Sequence, residues 1–230
     1  MDEKMINSNK FGFYHIFKQS PYSFTKDELS SDKRVHGNKP LTFVLLHGTG
    51  GNEEDLISVG EAIEPSASIL SPRGKILENG MPRFFKRLAE GVFDIEDLKI
   101  RTRELAEFIQ NSSQHYDFDL NRTMAVGFSN GANIASSVLL LYPQIFQGAI
   151  LFRAMIPLVP KPLPNLSRKQ ILLSAGTNDP IVSKIETENL SRLFQESNAI
   201  VTLEWQKSGH NLVQEDISVA RKWISDNFAE

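Results

Sequence analysis

The sequence predicts an α/β fold: a mostly parallel central sheet flanked by helices on both faces. Three observations predict it. From residue 41 onward, short apolar runs alternate with longer segments whose apolar residues recur at helical spacing. The runs at 41–46 and 123–126 are apolar apart from Thr42 and Thr123, as expected of strands buried on both faces. The notable polar residues follow the ends of such runs, where open parallel sheets bind their ligands.

Composition narrows the field. A chain of 230 residues suits one domain with a full core. A formal charge of −3 supplies no drive toward nucleic acid or an anionic membrane. Without cysteine there is no disulfide framework and no thiol nucleophile. Residues 1–10 are polar and charged, and no window reaches the length of a membrane span, so a cytoplasmic protein is expected. The sequence leaves a homodimer open.

Residues 1–40 read as an N-terminal extension, with an edge strand at 11–17 and a loop or short hairpin over 18–40. His15 and His36 fall here and are expected to be ordinary surface or edge histidines. Residues 41–230 read as the catalytic domain of a chain that is a single domain overall. The strand at 41–46 leads into His47, Gly48, Thr49, Gly50 and Gly51, whose glycines allow the loop to fold back over its strand. Glu53 and Glu54 are expected to open a helix, favoured there by its dipole. A short strand at 67–70 precedes an irregular piece running to Phe93. That piece mixes Arg73, Lys75, Arg83, Lys86 and Arg87 with Phe84, Phe85 and Phe93. It reads either as a substrate wall or as a solvated basic surface over core phenylalanines. In the first reading Arg73 or Arg83 offers a planar fork to a carboxylate, and Phe84 and Phe85 cover an apolar or aromatic group. Residues 94–113 predict a helix capped by Asp94.

The strand at 123–126 runs into Gly127, Phe128, Ser129, Asn130 and Gly131, and a small-faced helix follows. Strand, Gly-x-Ser-x-Gly, helix is the setting in which a serine is exposed as a nucleophile. Strands at 147–152, 170–175 and 200–205 come next. Met155, just beyond the first, is either a substrate contact or a core residue. Asp179 follows the second, ahead of a helix with a capping box at Ser183 and Glu186. His210 follows the third.

Serine, then acid, then histidine is the order found in α/β-hydrolases. A serine hydroxyl is a weak nucleophile, so His210 must take its proton and return it to the leaving group. Asp179 must hold the imidazole tautomer. Backbone N–H groups of Thr49 and Asn130 are placed to bind the oxyanion. Glu204, inside a strand, is a weaker rival for the acid. His47 is expected to brace its loop. No histidine or carboxylate spacing suggests a metal, and no dinucleotide or phosphate loop is present, so no cofactor is expected.

Residues 46–53 (LHGTGGNE), 71–74 (SPRG), 78–85 (ENGMPRFF), 127–135 (GFSNGANIA), 176–181 (GTNDPI) and 209–212 (GHNL) resemble the carboxylesterase/phospholipase group of α/β-hydrolases. That group includes the acyl-protein thioesterases, and the chain is most similar to its bacterial branch associated with hydroquinone resistance. The resemblance spans roughly residues 41–228. It implies Ser129, Asp179 and His210 as the triad, Thr49 and Asn130 as the oxyanion hole, and a small-molecule ester as substrate. The expected activity is hydrolysis of small to medium carboxylic esters through an acyl-enzyme. Thioesterase, lysophospholipase or dienelactone-type hydrolysis would use the same parts. A hydrolase fold serving only to bind is the non-enzymatic alternative.

Overall fold

The structure is a computed structural model and describes residues 5–21 and 39–228. His36 and most of the expected 18–40 loop lie outside the described residues. The chain opens with β1 (Met5–Lys10) and β2 (Phe13–Lys18), then β3 (Thr42–Leu46), α1 (Ile57–Ile63) and β4 (Ser68–Pro72). Four short strands follow: β5 (Ile76–Glu78), β6 (Met81–Arg83), β7 (Arg87–Ala89) and β8 (Val92–Phe93). Helix α2 (Ile95–Tyr116) leads to β9 (Thr123–Phe128) and α3 (Asn130–Leu141). The chain continues through β10 (Gly148–Phe152), β11 (Gln170–Gly176), α4 (Lys184–Glu196), β12 (Ile200–Gln206) and α5 (Gln214–Phe228).

The main sheet has the order β1-β2-β4-β3-β9-β10-β11-β12. From β4 to β12 every pairing is parallel, while β1 and β2 add antiparallel strands at one side. Burial explains the apolar strands: every residue of β3 and β10 is buried. One face carries α2, α3 and α4, through residues such as Phe108, Val138 and Phe194. The other carries α1 and α5, through Ile63, Trp223 and Ile224. The α/β fold expected from the sequence is the fold observed. Among the described residues, no helix is long and apolar enough to cross a membrane.

Strand β3 has β4 on one side and β9 on the other, so the chain reverses its direction of travel across the sheet at β3. A crevice opens beyond the carboxyl ends of strands at such a point. The loop after β3 and the serine after β9 therefore meet there.

Several expected elements differ. The segment at 11–17 is the turn and second strand of a hairpin, and β1 is the edge. Phe11 and Gly12 form its turn, both with positive φ. His15 is fully buried; Nδ1–H donates to Phe13 O at 2.8 Å, and Nε2 meets the Tyr116 hydroxyl at 2.8 Å. The hydroxyl supplies the partner that a buried imidazole nitrogen requires. Helix α1 begins only at Ile57; Glu53 is buried instead and pairs with Arg73. At α4, Ser183 Oγ accepts from Glu186 N–H, but the Glu186 carboxylate accepts from Ile156 N–H rather than closing a capping box.

Candidate active site

The serine after β9 sits in a backbone shape that few residues adopt. Ser129 has φ 51° and ψ −114°, a conformation costing about 1–3 kcal/mol. Its surroundings hold it there. Ser129 N–H donates to Phe152 O at 2.9 Å, and Ser129 O accepts from Asn133 N–H at 2.9 Å. The flanking glycines are required by contact. A Cβ on Gly131 would lie 1.9 Å from Leu46 O, and one on Gly127 would lie 2.7 Å from the backbone of Ala132.

Strands β11 and β12 bring two further side chains to this point. His210 Nε2 lies 2.9 Å from Ser129 Oγ, and His210 Nδ1 lies 2.8 Å from Asp179 Oδ2. An ionised carboxylate only accepts, so Nδ1 carries the proton and Nε2 is free to accept from the serine hydroxyl. Asp179 is itself fixed. Its Oδ1 accepts from Ile181 N–H at 2.8 Å and Val182 N–H at 3.0 Å. Its side chain is 1% exposed and that of His210 is 19% exposed. The carboxylate is shielded while the imidazole edge can meet a substrate. Glu204 lies inside β12, opposite Ser174 of β11.

The loop after β3 supplies the other wall. Gly50 N–H donates to Pro82 O and Gly51 N–H to Gly48 O, while Thr49 N–H meets no acceptor among the described residues. Asn130 stands at the first position of α3, where helix geometry leaves its N–H without a carbonyl. His47 braces the loop from beneath. Gly74 N–H donates to its Nε2 at 2.9 Å, and its Nδ1–H donates to Gly48 O at 2.7 Å. Burial pushes its pKa below the usual histidine value, against the opposing pull of the Gly48 carbonyl and of Asp55 and Glu53. A neutral ring is what these two hydrogen bonds need.

A cavity of about 260 Å³ opens over the serine. Thr49, Ser129, Asn130, His210, Arg83 and Met155 all line it, together with Phe93, Phe128 and Asn133. Arg83 is 3% exposed; Nη1 donates to Thr49 Oγ1 at 2.8 Å and lies 3.1 Å from Glu78. Met155 N–H donates to Asn133 Oδ1 at 2.8 Å.

Three residues expected at the substrate are elsewhere. Phe84 and Phe85 are 2% and 0% exposed and belong to the main core. Phe84 N–H donates to Asn130 Oδ1, its ring packs on His47, and Phe85 meets Phe93 edge to face. Both lie on a strap running inward between two hairpins, so their rings point into the protein. Arg73 is drawn the other way. Its Nη2 donates to Glu53 at 2.6 Å, its guanidinium lies 5.0 Å from the Tyr14 ring, and it does not line the cavity. Phe93 was named only as part of the possible substrate wall, and Phe128 and Asn133 were not singled out as substrate contacts in the sequence. Phe128 and Asn133 carried a usable signal, since they flank Ser129 at positions forced to its side of the elbow.

A parallel sheet with a strained serine at its switch point defines an α/β-hydrolase. Within that class, a family model described as phospholipase/carboxylesterase matches residues 35–228. The chain belongs to the phospholipase/carboxylesterase family and is a hydrolase. It is 47% identical over 190 residues to MhqD of Bacillus subtilis (strain 168), a hydrolase by name; the match covers 83% of this chain and 95% of that protein. The Bacillus cereus carboxylesterase structure superposes with a TM-score of 0.84 at 44% identity, covering 94% of this chain and 95% of that one. The structure of YahD with malic acid gives 0.82 at 31% identity, covering 94% and 99%.

Proposed function

We propose that this chain is a serine carboxylesterase that hydrolyses small to medium carboxylic esters through an acyl-enzyme. One observation carries the reading: His210 stands within hydrogen-bond reach of Ser129 Oγ on one nitrogen and of Asp179 on the other. His210 Nε2 takes the hydroxyl proton as Ser129 Oγ attacks the acyl carbon. Negative charge gathers on the former carbonyl oxygen, and the N–H groups of Thr49 and Asn130 bind it. Asp179 stabilises the imidazolium through Nδ1–H. The imidazolium then protonates the departing alkoxide, leaving an ester on Ser129. Water enters, gives a proton to His210 and repeats the attack, releasing the acid and the free hydroxyl.

Cavity size supports short acyl or leaving groups. About 260 Å³ lies just below the usual range for small-molecule sites. Arg83 on the wall supports tolerance of a polar or anionic group, in keeping with the malic acid in the YahD structure. A fluorophosphonate probe tests the proposal. Ser129 Oγ should displace fluoride and become phosphonylated in the wild type, with no labelling of Ser129→Ala. An unlabelled wild type overturns it.

A further inference from the structure

Arg153 follows β10 in the left-handed region, with φ 55°, and is the bulkiest of the fully buried side chains among the described residues. Every nitrogen of its guanidinium is engaged. Nε donates to Gly209 O at 3.1 Å, and Nη1 to Ser174 O at 3.0 Å and Asp216 Oδ1 at 2.8 Å. The two N–H groups of Nη2 are shared among Asp216 Oδ2 at 2.7 Å, Ser208 Oγ at 2.9 Å and Asn211 O at 2.8 Å. Asp216 is anchored in turn, accepting from Ser174 Oγ at 2.6 Å and from Val213 N–H at 2.9 Å.

Three of these acceptors belong to residues 208, 209 and 211, which surround His210 in the chain. The carbonyls of Gly209 and Asn211 lie on either side of it. We infer that Arg153 is the positioning residue that sets His210, by gripping its loop on both sides and tying it to Asp216 at the start of α5. This rests on the reading of His210 as the general base.

The backbone at Arg153 reaches the nucleophile as well. The preceding carbonyl, Phe152 O, accepts from Ser129 N–H, and Arg153 N–H donates to Ser174 O at 3.0 Å. One peptide step thus separates the group that holds the serine elbow from the side chain that holds the histidine loop. Two adjacent residues, Phe152 and Arg153, tie the elbow of Ser129 to the loop of His210, 81 positions away in sequence. A guanidinium suits the task because it is planar and can span several acceptors at once, whereas an ammonium is a point charge. Stability alone is a weak reason to bury such a pair, since apolar replacements of buried ion pairs are often neutral or stabilising. A displacement of about 1 Å at a reacting group can lower a rate about 10²-fold.

The test uses Arg153→Lys and Arg153→Met in the full chain with p-nitrophenyl acetate. Thermal melts establish that each is folded at the assay temperature. Both should bind substrate with KM within about twofold of wild type, because neither variant touches the cavity. The kcat should fall about 10-fold in Arg153→Lys and about 10²-fold in Arg153→Met. The downfield proton resonance of the His210–Asp179 hydrogen bond should weaken or move in both, a readout that mere loss of stability in a folded variant does not alter. If Arg153→Met fails to fold, Arg153→Lys decides. A folded Arg153→Lys with wild-type kcat and an unchanged resonance overturns the inference. His210→Ala separates the two readings. If it turns over like wild type, the general-base assignment fails; if it is inactive while Arg153→Lys is not impaired, only the role of Arg153 fails.

Discussion

Ser129, His210 and Asp179 are linked by two hydrogen bonds, so a change at Asp179 should be felt at Ser129. In Asp179→Asn the amide oxygen can keep the N–H bonds of Ile181 and Val182, while its NH₂ faces His210 Nδ1. The imidazole would then carry its proton on Nε2, against the serine. We expect kcat to fall about 10⁴-fold with little change in the melting temperature. Glu204→Gln, inside β12, should leave kcat unchanged; the reverse pair of results would move the acid to Glu204. These three residues were legible in the sequence because each follows a stretch that reads as a strand, apolar before Ser129 and Asp179 and alternating before His210. The positions of Phe84, Phe85 and Arg73 were not. An aromatic or basic side chain near a site reads the same in sequence whether it faces substrate, core or solvent. Here, a short strap that runs inward, burying Phe84 and Phe85 in succession, and the pull of Glu53 decided. Phe84→Ala should therefore cost about 3–5 kcal/mol in a urea melt. It should raise KM no more for aromatic esters than for acetate esters. A selective KM effect without loss of stability would return Phe84 to the substrate.

Two hairpins replace what reads as an irregular piece between residues 73 and 93. Strands β5 and β6 are joined by Asn79 and Gly80, both with positive φ. Asn-Gly is the strongest short-range hairpin signal, so this element was readable. The flanking strands are only three residues each and lack alternation, which hid it. The loop after β3 depends on a neutral His47. Burial is the main cause lowering its pKa, so the folded chain binds this proton less readily than the unfolded chain, whose histidine titrates near 6.5. The associated stabilisation is complete above that pH and is lost as pH falls toward the folded value. His15 is shifted in the same direction, again chiefly by burial. The melting temperature should thus decline on acidification from about pH 7.5 to 5, and more gently in His47→Gln, which lacks the His47 contribution and retains that of His15. An identical slope in His47→Gln would show that the loop does not require the neutral ring.

On the scale of the whole molecule, the order of strands does most to make the site. The reversal at β3 opens the crevice, and the parallel strands beyond it deliver Ser129, Asp179 and His210 to one edge. The N-terminal hairpin does a different job. β2 pairs with β4 and buries Phe13, Ile16 and Phe17, with Phe17 stacked on Tyr116 at 4.1 Å. Removing residues 1–19 should uncover the β4 edge and this apolar surface. Light scattering after size exclusion should then report aggregation, and a monodisperse product with an unchanged melt would make the hairpin dispensable. If Ser129 is the nucleophile, a covalent intermediate forms on that one serine at the switch point. Rapid mixing with p-nitrophenyl acetate, acid quenching and peptide mass spectrometry test it most directly. A burst of p-nitrophenolate approaching one equivalent is expected where deacylation is the slower step, with an acetyl group on the peptide containing Ser129 that is absent from Ser129→Ala. Steady hydrolysis by Ser129→Ala at the wild-type rate, or acetylation confined to another residue, would contradict it.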